Sequence, residues 1–271
     1  MVNIAKIGSI ITTFIALNCC TTVAAADWYQ PNAFTSANIQ LTGTLNTQYP
    51  VELYVVDLFD TPKTKIAELK ARGTHVICYF SAGSYENWRP DKAKFPATLL
   101  GKKLTGWAGE RWLDIRAPQL RTIMRARLNL AVQKGCDGVD PDNVNSYTND
   151  TGFPLTARHQ LSYNRFLATE AHLRNLSIGL KNDLNQIKAL VNWFDFSINE
   201  QCHTYNECHL LNPFVQAGKP VYNLEYQQRY IDDPAARKAL CSDALSRGFR
   251  TLIMPPLLDG TFRLSCDDET L

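Results

Sequence analysis

Short apolar runs alternate along this chain with stretches whose apolar residues recur every three or four positions. The runs read as strands and the stretches as amphipathic helices. The strand-like runs fall at 39–41, 53–60, 74–83, 136–143, 176–183, 194–201, 219–226 and 249–256. Between the third and fourth runs lies the clearest helical stripe: Leu120, Ile123, Met124, Leu128, Ala131 and Val132, closed by Gly135. A glycine there suits a helix C-terminus, because it takes the left-handed turn at no steric cost. Further helices are predicted around Ile66 and Leu69 (ending at Gly73), over Leu161–Ala171, over Leu184–Val191 and over 234–247. An insertion at roughly 90–116 and a long loop at 145–156 interrupt the alternation. Eight strands alternating with helices predict a single α/β domain, a (β/α)8 TIM barrel spanning 27–271. A doubly wound sheet is the alternative. It usually has fewer strands, and no Gly-rich phosphate loop is present to support it.

Residues 1–26 change the picture of where the protein works. Lys6, the apolar run Ile7–Leu17 and Ala24-Ala25-Ala26 form the charged, apolar and small-residue parts of a secretory signal peptide. The expected location is extracellular or periplasmic. A lipid anchor on Cys19 or Cys20 is the weaker reading, because Asn18 stands where a small residue is expected. The apolar run is too short to span a bilayer comfortably, so no membrane span is predicted. Six cysteines remain after position 26, which in an exported chain reads as up to three disulfides. Local pairing joins Cys202 to Cys208 and Cys241 to Cys266 and leaves Cys78 for Cys136, one of fifteen connectivities. The run 202–209 (CHTYNECH) also offers Cys and His ligands, but its spacing is not a usual zinc pattern. No metal and no cofactor is expected. The 28 Lys+Arg and 26 Asp+Glu leave a net charge of +2 with no basic block, so nucleic acid is not an expected partner. A monomer is expected.

Candidate chemistry gathers at the strand ends, where parallel α/β folds bind their ligands. The fourth run, GCDGVDPDN at 135–143, carries Asp137, Asp140 and Asp142. Read alone, these acids are as consistent with helix capping or a structural cation as with catalysis. Other strand ends carry Asp57, Asp60, Tyr79, Ser81, Asn143, Lys181, Asn182, Asp183, Asn199, Glu200, Asn223 and Glu225. So many acids on one rim repel one another, a cost that function explains and solvation does not. Paired carboxylates without a cofactor motif are what glycoside hydrolysis uses. Trp28, Tyr85, Trp88, Trp107 and Trp112 are candidate platforms for sugar rings, with ordinary packing as the alternative for each. His-Glu-x-x-His and Gly-x-Ser-x-Gly are absent, and 140–143 lacks the spaced ligands of an EF-hand loop.

In order along the chain, VDLFD (56–60), VICYFSAGSYE (76–86), RWLDIR (111–116), GCDGVDPDN (135–143), GLKND (179–183), INEQC (198–202) and Glu225-Tyr226 resemble glycoside hydrolase family 114, the endo-α-1,4-polygalactosaminidases. That resemblance implies endo-hydrolysis of α-1,4-linked galactosamine polymers on a (β/α)8 barrel. It also implies catalytic acids after the fourth and sixth strands, here Asp142 and Glu200. Asp140 shares a strand face with Asp142 and is expected deeper, as its electrostatic neighbour. Asp142 is the expected nucleophile and Glu200 the expected proton donor, its pKa raised by Asp142 and Glu225. Asp57, Asp60, Tyr79, Trp88, Asn143, Lys181, Asn199 and Glu225 are the expected substrate-binding residues. A local acidity of this kind complements a cationic, galactosamine-containing polysaccharide. A barrel hydrolase for other galactosyl or amino-sugar linkages, and a carbohydrate-binding barrel without catalysis, are the competing readings.

Overall fold

The computed structural model describes residues 1–2 and 28–268, so the signal-peptide reading lies almost wholly outside the described residues. Twelve strands occur in chain order among those residues. They are β1 (Ala37–Gln40), β2 (Leu53–Asp57), β3 (His75–Ser81), β4 (Ser84–Glu86), β5 (Leu100–Lys103), β6 (Glu110–Leu113), β7 (Gly138–Asp142), β8 (Ser177–Lys181), β9 (Phe196–Glu200), β10 (Val221–Glu225), β11 (Arg250–Ile253) and β12 (Leu264–Ser265). The eight runs predicted from hydrophobicity are β1, β2, β3 and β7 to β11. They form one parallel sheet in that order, with β12 antiparallel on its edge.

This sheet curls into the predicted (β/α)8 barrel. Among the described residues no ladder joins β11 back to β1. The seam is bridged instead by the segment after β11: Leu41 and Thr42 N–H donate to Leu258 O, at 2.9 and 3.2 Å. Gln40 Nε2 donates across it to Asp259 O, and Arg263 to Ala37 O.

The eight parallel strands are buried on both faces along nearly all their length, which is why the runs read as nearly continuous apolar segments. Ile39, Val55, Ile77, Phe196, Ile198, Tyr222 and Leu224 fill the barrel interior. Tyr54, Val56, Val76, Phe80, Val139, Ile178 and Leu180 face the helical layer. That layer comprises α1 (Lys63–Ala71), α2 (Pro118–Lys134), α3 (Ala157–His172), α4 (Ile187–Leu190), α5 (Asn212–Gln216), α6 (Arg229–Asp232) and α7 (Pro234–Ser246). Inward-facing Gly179 is obligatory. A Cβ there would lie 2.3 Å from the Phe196 ring, which occupies the space its side chain vacates.

The α2 stripe follows the expected period, and Gly135 closes the helix at φ 88°. Two positions differ. Val132 is 46% exposed, whereas Arg127 is buried within the stripe. Arg127 reaches through the layer to Asp91 (2.8 and 2.9 Å) and to Ser81 O (2.6 Å), so a cation occupies a position that hydrophobic patterning gives to solvent. The insertion after β3 forms a separate antiparallel sheet, β4-β6-β5, over the C-terminal end of the barrel. Its junction with β7 depends on Gly83, where any Cβ would collide with Asn143 O.

The six cysteines among the described residues pair as Cys78–Cys136, Cys202–Cys208 and Cys241–Cys266. Cys202, His203 and Cys208 have their ligand atoms within 4.8 Å of one another, but both sulfurs are committed to a disulfide. Three disulfides suit an oxidising compartment. No helix among the described residues is long and apolar enough to cross a membrane.

Candidate active site

A cavity of about 730 Å³ opens at the C-terminal ends of the barrel strands and is walled on one side by the insertion sheet. Asp142 ends β7 and Glu200 ends β9, and both line this cleft. Between them stands Lys181, the last residue of β8, whose side chain is only 3% exposed. Its Nζ lies 3.8 Å from Asp142 Oδ1 and 3.6 Å from Glu200 Oε1. Those two oxygens are therefore separated by at most about twice that reach. The bound admits the roughly 5–5.5 Å spacing of retaining glycosidases and removes the upper part of the roughly 6.5–9.5 Å inverting range.

Neutral donors fix each acid. Asp142 Oδ2 accepts from Tyr79 OH at 3.0 Å and Oδ1 from the Asn143 backbone N–H at 2.6 Å. Glu200 Oε1 accepts from Tyr226 OH at 2.6 Å and Oε2 from Asn182 Nδ2 at 3.0 Å. The residues that follow β7, β8 and β9, namely Asn143, Asn182 and Gln201, all line the cleft in left-handed conformations (φ 60°, 51° and 63°). Asn tolerates that region and Gln does so at a cost, so local strain is concentrated where these strands hand over to the site.

Burial raises the Glu200 carboxyl, but the Lys181 charge and the hydrogen bonds from Tyr226 and Asn182 outweigh it and leave its pKa below the usual glutamate value. The elevated pKa expected from sequence is therefore not what the residues around Glu200 produce. One of its two presumed causes is displaced as well. Glu225 faces away from the cleft, fully buried, and accepts from His203 N–H (2.9 Å) and Thr204 Oγ1 (2.8 Å) in the loop behind Glu200. The residue that enters the cleft is its neighbour Tyr226, because successive strand residues alternate faces.

Asn199 likewise turns away from the cleft, where its Nδ2 steadies Asn182 Oδ1 at 3.2 Å. Asp57 lines the wall, but its carboxylate is taken by Arg89 (2.6 and 2.9 Å) and by the N–H groups of Phe59 and Asp60. It holds the wall rather than presenting an open acceptor. Asp60 stands at the rim with a 74% exposed side chain. Trp88 and Trp107 are about half exposed and line the cleft, whereas Trp28 stacks on His172 and Tyr85 packs edge-on against Phe95.

Asp140 sits beneath the floor, 1% exposed, with Oδ1 lacking a hydrogen-bond partner. Burial pushes its pKa up to about 7, Lys181 opposes that, and Asp142 and Glu200 add repulsion. An aspartate raised in this way holds its proton in the folded state where the unfolded chain has already lost it. Its contribution to stability therefore falls as pH rises from about 4 to about 7. Asp140→Asn is expected to remove that slope, gaining stability on the wild type by up to a few kcal/mol across this window. Urea unfolding at several pH values measures it, and parallel pH profiles for the two proteins would contradict it.

Sequence reasoning passed over Tyr226 as a site residue, and it missed Asn182's grip on Glu200 and the cleft-facing Glu110. The one cue to Tyr226 is its place next to Glu225, and with both faces of β10 buried that cue does not say which of the two enters the cleft.

The family model for glycoside-hydrolase family GH114 matches residues 19–270. The crystal structure of Aspergillus fumigatus Ega3 in complex with galactosamine is 43% identical, with TM-score 0.82, covering 88% of this chain and 97% of that one. The glycoside hydrolase domain of PelA from Pseudomonas aeruginosa is 15% identical, with TM-score 0.66 over 85% of this chain and 98% of that one, and shows the shared fold. An uncharacterised Deinococcus radiodurans protein is 28% identical over 241 residues, 78% of this chain and 77% of its own length.

Proposed function

This chain belongs to glycoside-hydrolase family GH114, and on that premise we propose that it is an exported, endo-acting, retaining hydrolase of α-1,4-linked galactosamine polymers. The observation that carries the reading is the pair Asp142 and Glu200, aimed into one cleft from either side of a buried lysine. The galactosamine bound in the related Ega3 structure supports the sugar. Half-exposed Trp88 and Trp107 supply stacking surface for several sugar units, as an endo mode needs.

In the proposed double displacement an Asp142 oxygen attacks the anomeric carbon. The bond from that carbon to the glycosidic oxygen breaks, and the leaving chain takes the proton of Glu200. Water then attacks the same carbon, Glu200 accepts its proton, and the bond to Asp142 is released. Lys181 acts throughout as a fixed counter-charge, pre-oriented by burial and so stabilising without reorganisation.

Because Glu200 is protonated only at acid pH in the free enzyme, kcat/KM is expected to peak on the acid side of neutrality and fall along an alkaline limb. Tyr226→Phe removes a charge-assisted hydrogen bond that holds the Glu200 pKa down and should move that limb to higher pH. The test of the activity is digestion of polygalactosamine and of its N-acetylated counterpart, followed by reducing-end release and product length. The expected result is rapid shortening of the de-N-acetylated chain before monosaccharide accumulates. No new reducing ends from either polymer would end the reading, and monosaccharide as the first product would end its endo part.

A further inference from the structure

The catalytic pair leaves one cleft acid without a task. Glu110, the first residue of β6, is 7% exposed and lines the cleft. Its Oε2 accepts from Ser84 Oγ at 2.5 Å, and among the described residues no Lys or Arg forms an ion pair with it. The other carboxylates around the cleft are matched to cations. Asp57 and Glu86 pair with Arg89, Asp91 with Arg127, and Asp142 and Glu200 with Lys181. Glu110 is instead set directly opposite Glu86 across the β4–β6 ladder, a like-charge arrangement that costs stability. Burial raises its pKa; the Ser84 hydrogen bond and the more distant Arg89 charge oppose that, and the nearby Asp142 charge adds to the rise.

An unpaired buried carboxylate is expensive unless a cation reaches it. The surroundings say what kind of cation. Glu110 N–H donates to Trp107 O at 3.2 Å, and the Trp88 ring lies 3.0 Å from where a Cβ on Gly109 would stand. Two half-exposed indoles thus flank the stretch of chain that carries Glu110, all three residues line one cleft with Asp142, and the Asp142 charge reaches the carboxylate. Resting on the galactosamine-polymer reading, we propose that Glu110 determines specificity by ion-pairing with the ammonium of a galactosamine unit bound beside Asp142. An N-acetylated unit has no charge to offer and leaves the acid unpaired, so the polymer with free amines is selected.

Glu110→Gln keeps the size of the side chain and an oxygen for Ser84, and it removes the charge. With polygalactosamine as substrate, KM is expected to rise roughly tenfold or more while kcat changes little. Glu110→Asp should recover part of the loss. In a second measurement, calorimetry on the wild type with galactosamine and with N-acetylgalactosamine should show tighter binding of the amine, and the Gln variant should lose the preference. An unchanged KM, or a fall in kcat at constant KM, overturns the assignment. Equal wild-type affinity for the two sugars overturns it without recourse to a variant. Failure of the wild type to cleave polygalactosamine would instead strike the activity itself, so the two failures are distinguishable.

Discussion

Asp142→Asn and Glu200→Gln are each expected to lower kcat on galactosamine polymer by on the order of a thousandfold, about 4 kcal/mol of transition-state stabilisation. Both replacements are isosteric. Asn at 142 can still accept from the Asn143 N–H, and Gln at 200 can still accept from Tyr226, so the folded structure should survive. The two variants are expected to separate by leaving group. A galactosaminide with an acidic phenol needs no proton to depart, so Glu200→Gln should form the covalent intermediate from it readily and stall at hydrolysis. Asp142→Asn should remain inactive on it. Burst kinetics with such a substrate reads the difference, and losses below a hundredfold for both variants would remove the pair from the chemistry.

Lys181→Met is expected to have the next largest effect, on stability as well as rate. It leaves Asp140, Asp142 and Glu200 facing one another with no cation, a loss of about 3–5 kcal/mol at neutral pH by analogy with broken buried ion pairs. The sign of its pH dependence follows from the shifts. The Lys181 pKa is raised because the three acids outweigh burial, so its stabilisation is fully present below the unfolded lysine value and is lost only as pH climbs through the folded one. In the variant the acids must take up protons to relieve their repulsion. The stability deficit should therefore shrink as pH falls toward about 4. Thermal melts of both proteins at acid and mildly alkaline pH give the comparison, and a deficit independent of pH would show that the side chain matters for its packing and not for its charge.

Most of the barrel was legible because its strands are apolar runs separated by helical periods, and the acids could be placed because those runs end in polar residues. The errors arose where burial on both faces hides the strand's phase. In β10, Tyr222 and Leu224 point inward while Val221, Asn223 and Glu225 point outward, yet all five are buried. Alternation of polarity therefore could not say that Tyr226, and not Glu225, meets Glu200. The engagement of Asp57 is hidden from the sequence for a different reason. Its partner Arg89 is 32 residues away in a loop, and only the folded chain brings them together. Glu110 lay in an insertion whose short polar strands carry no periodic signal. Arg127 was hidden by the opposite bias, since a cation in a helical stripe is read as surface.

The seam between β11 and β1 has a consequence for colloidal behaviour. A fully laddered barrel has no free edge, whereas here the outer backbone of β1 would stand open to any extended chain, including another copy of the same sheet. Gln40 and the segment around Leu258 and Asp259 cover that backbone with irregular, strongly turned chain that no strand can extend. The turned segment, whose Leu258 also lines the cleft, withholds from other chains the strand edge through which sheet-to-sheet association begins.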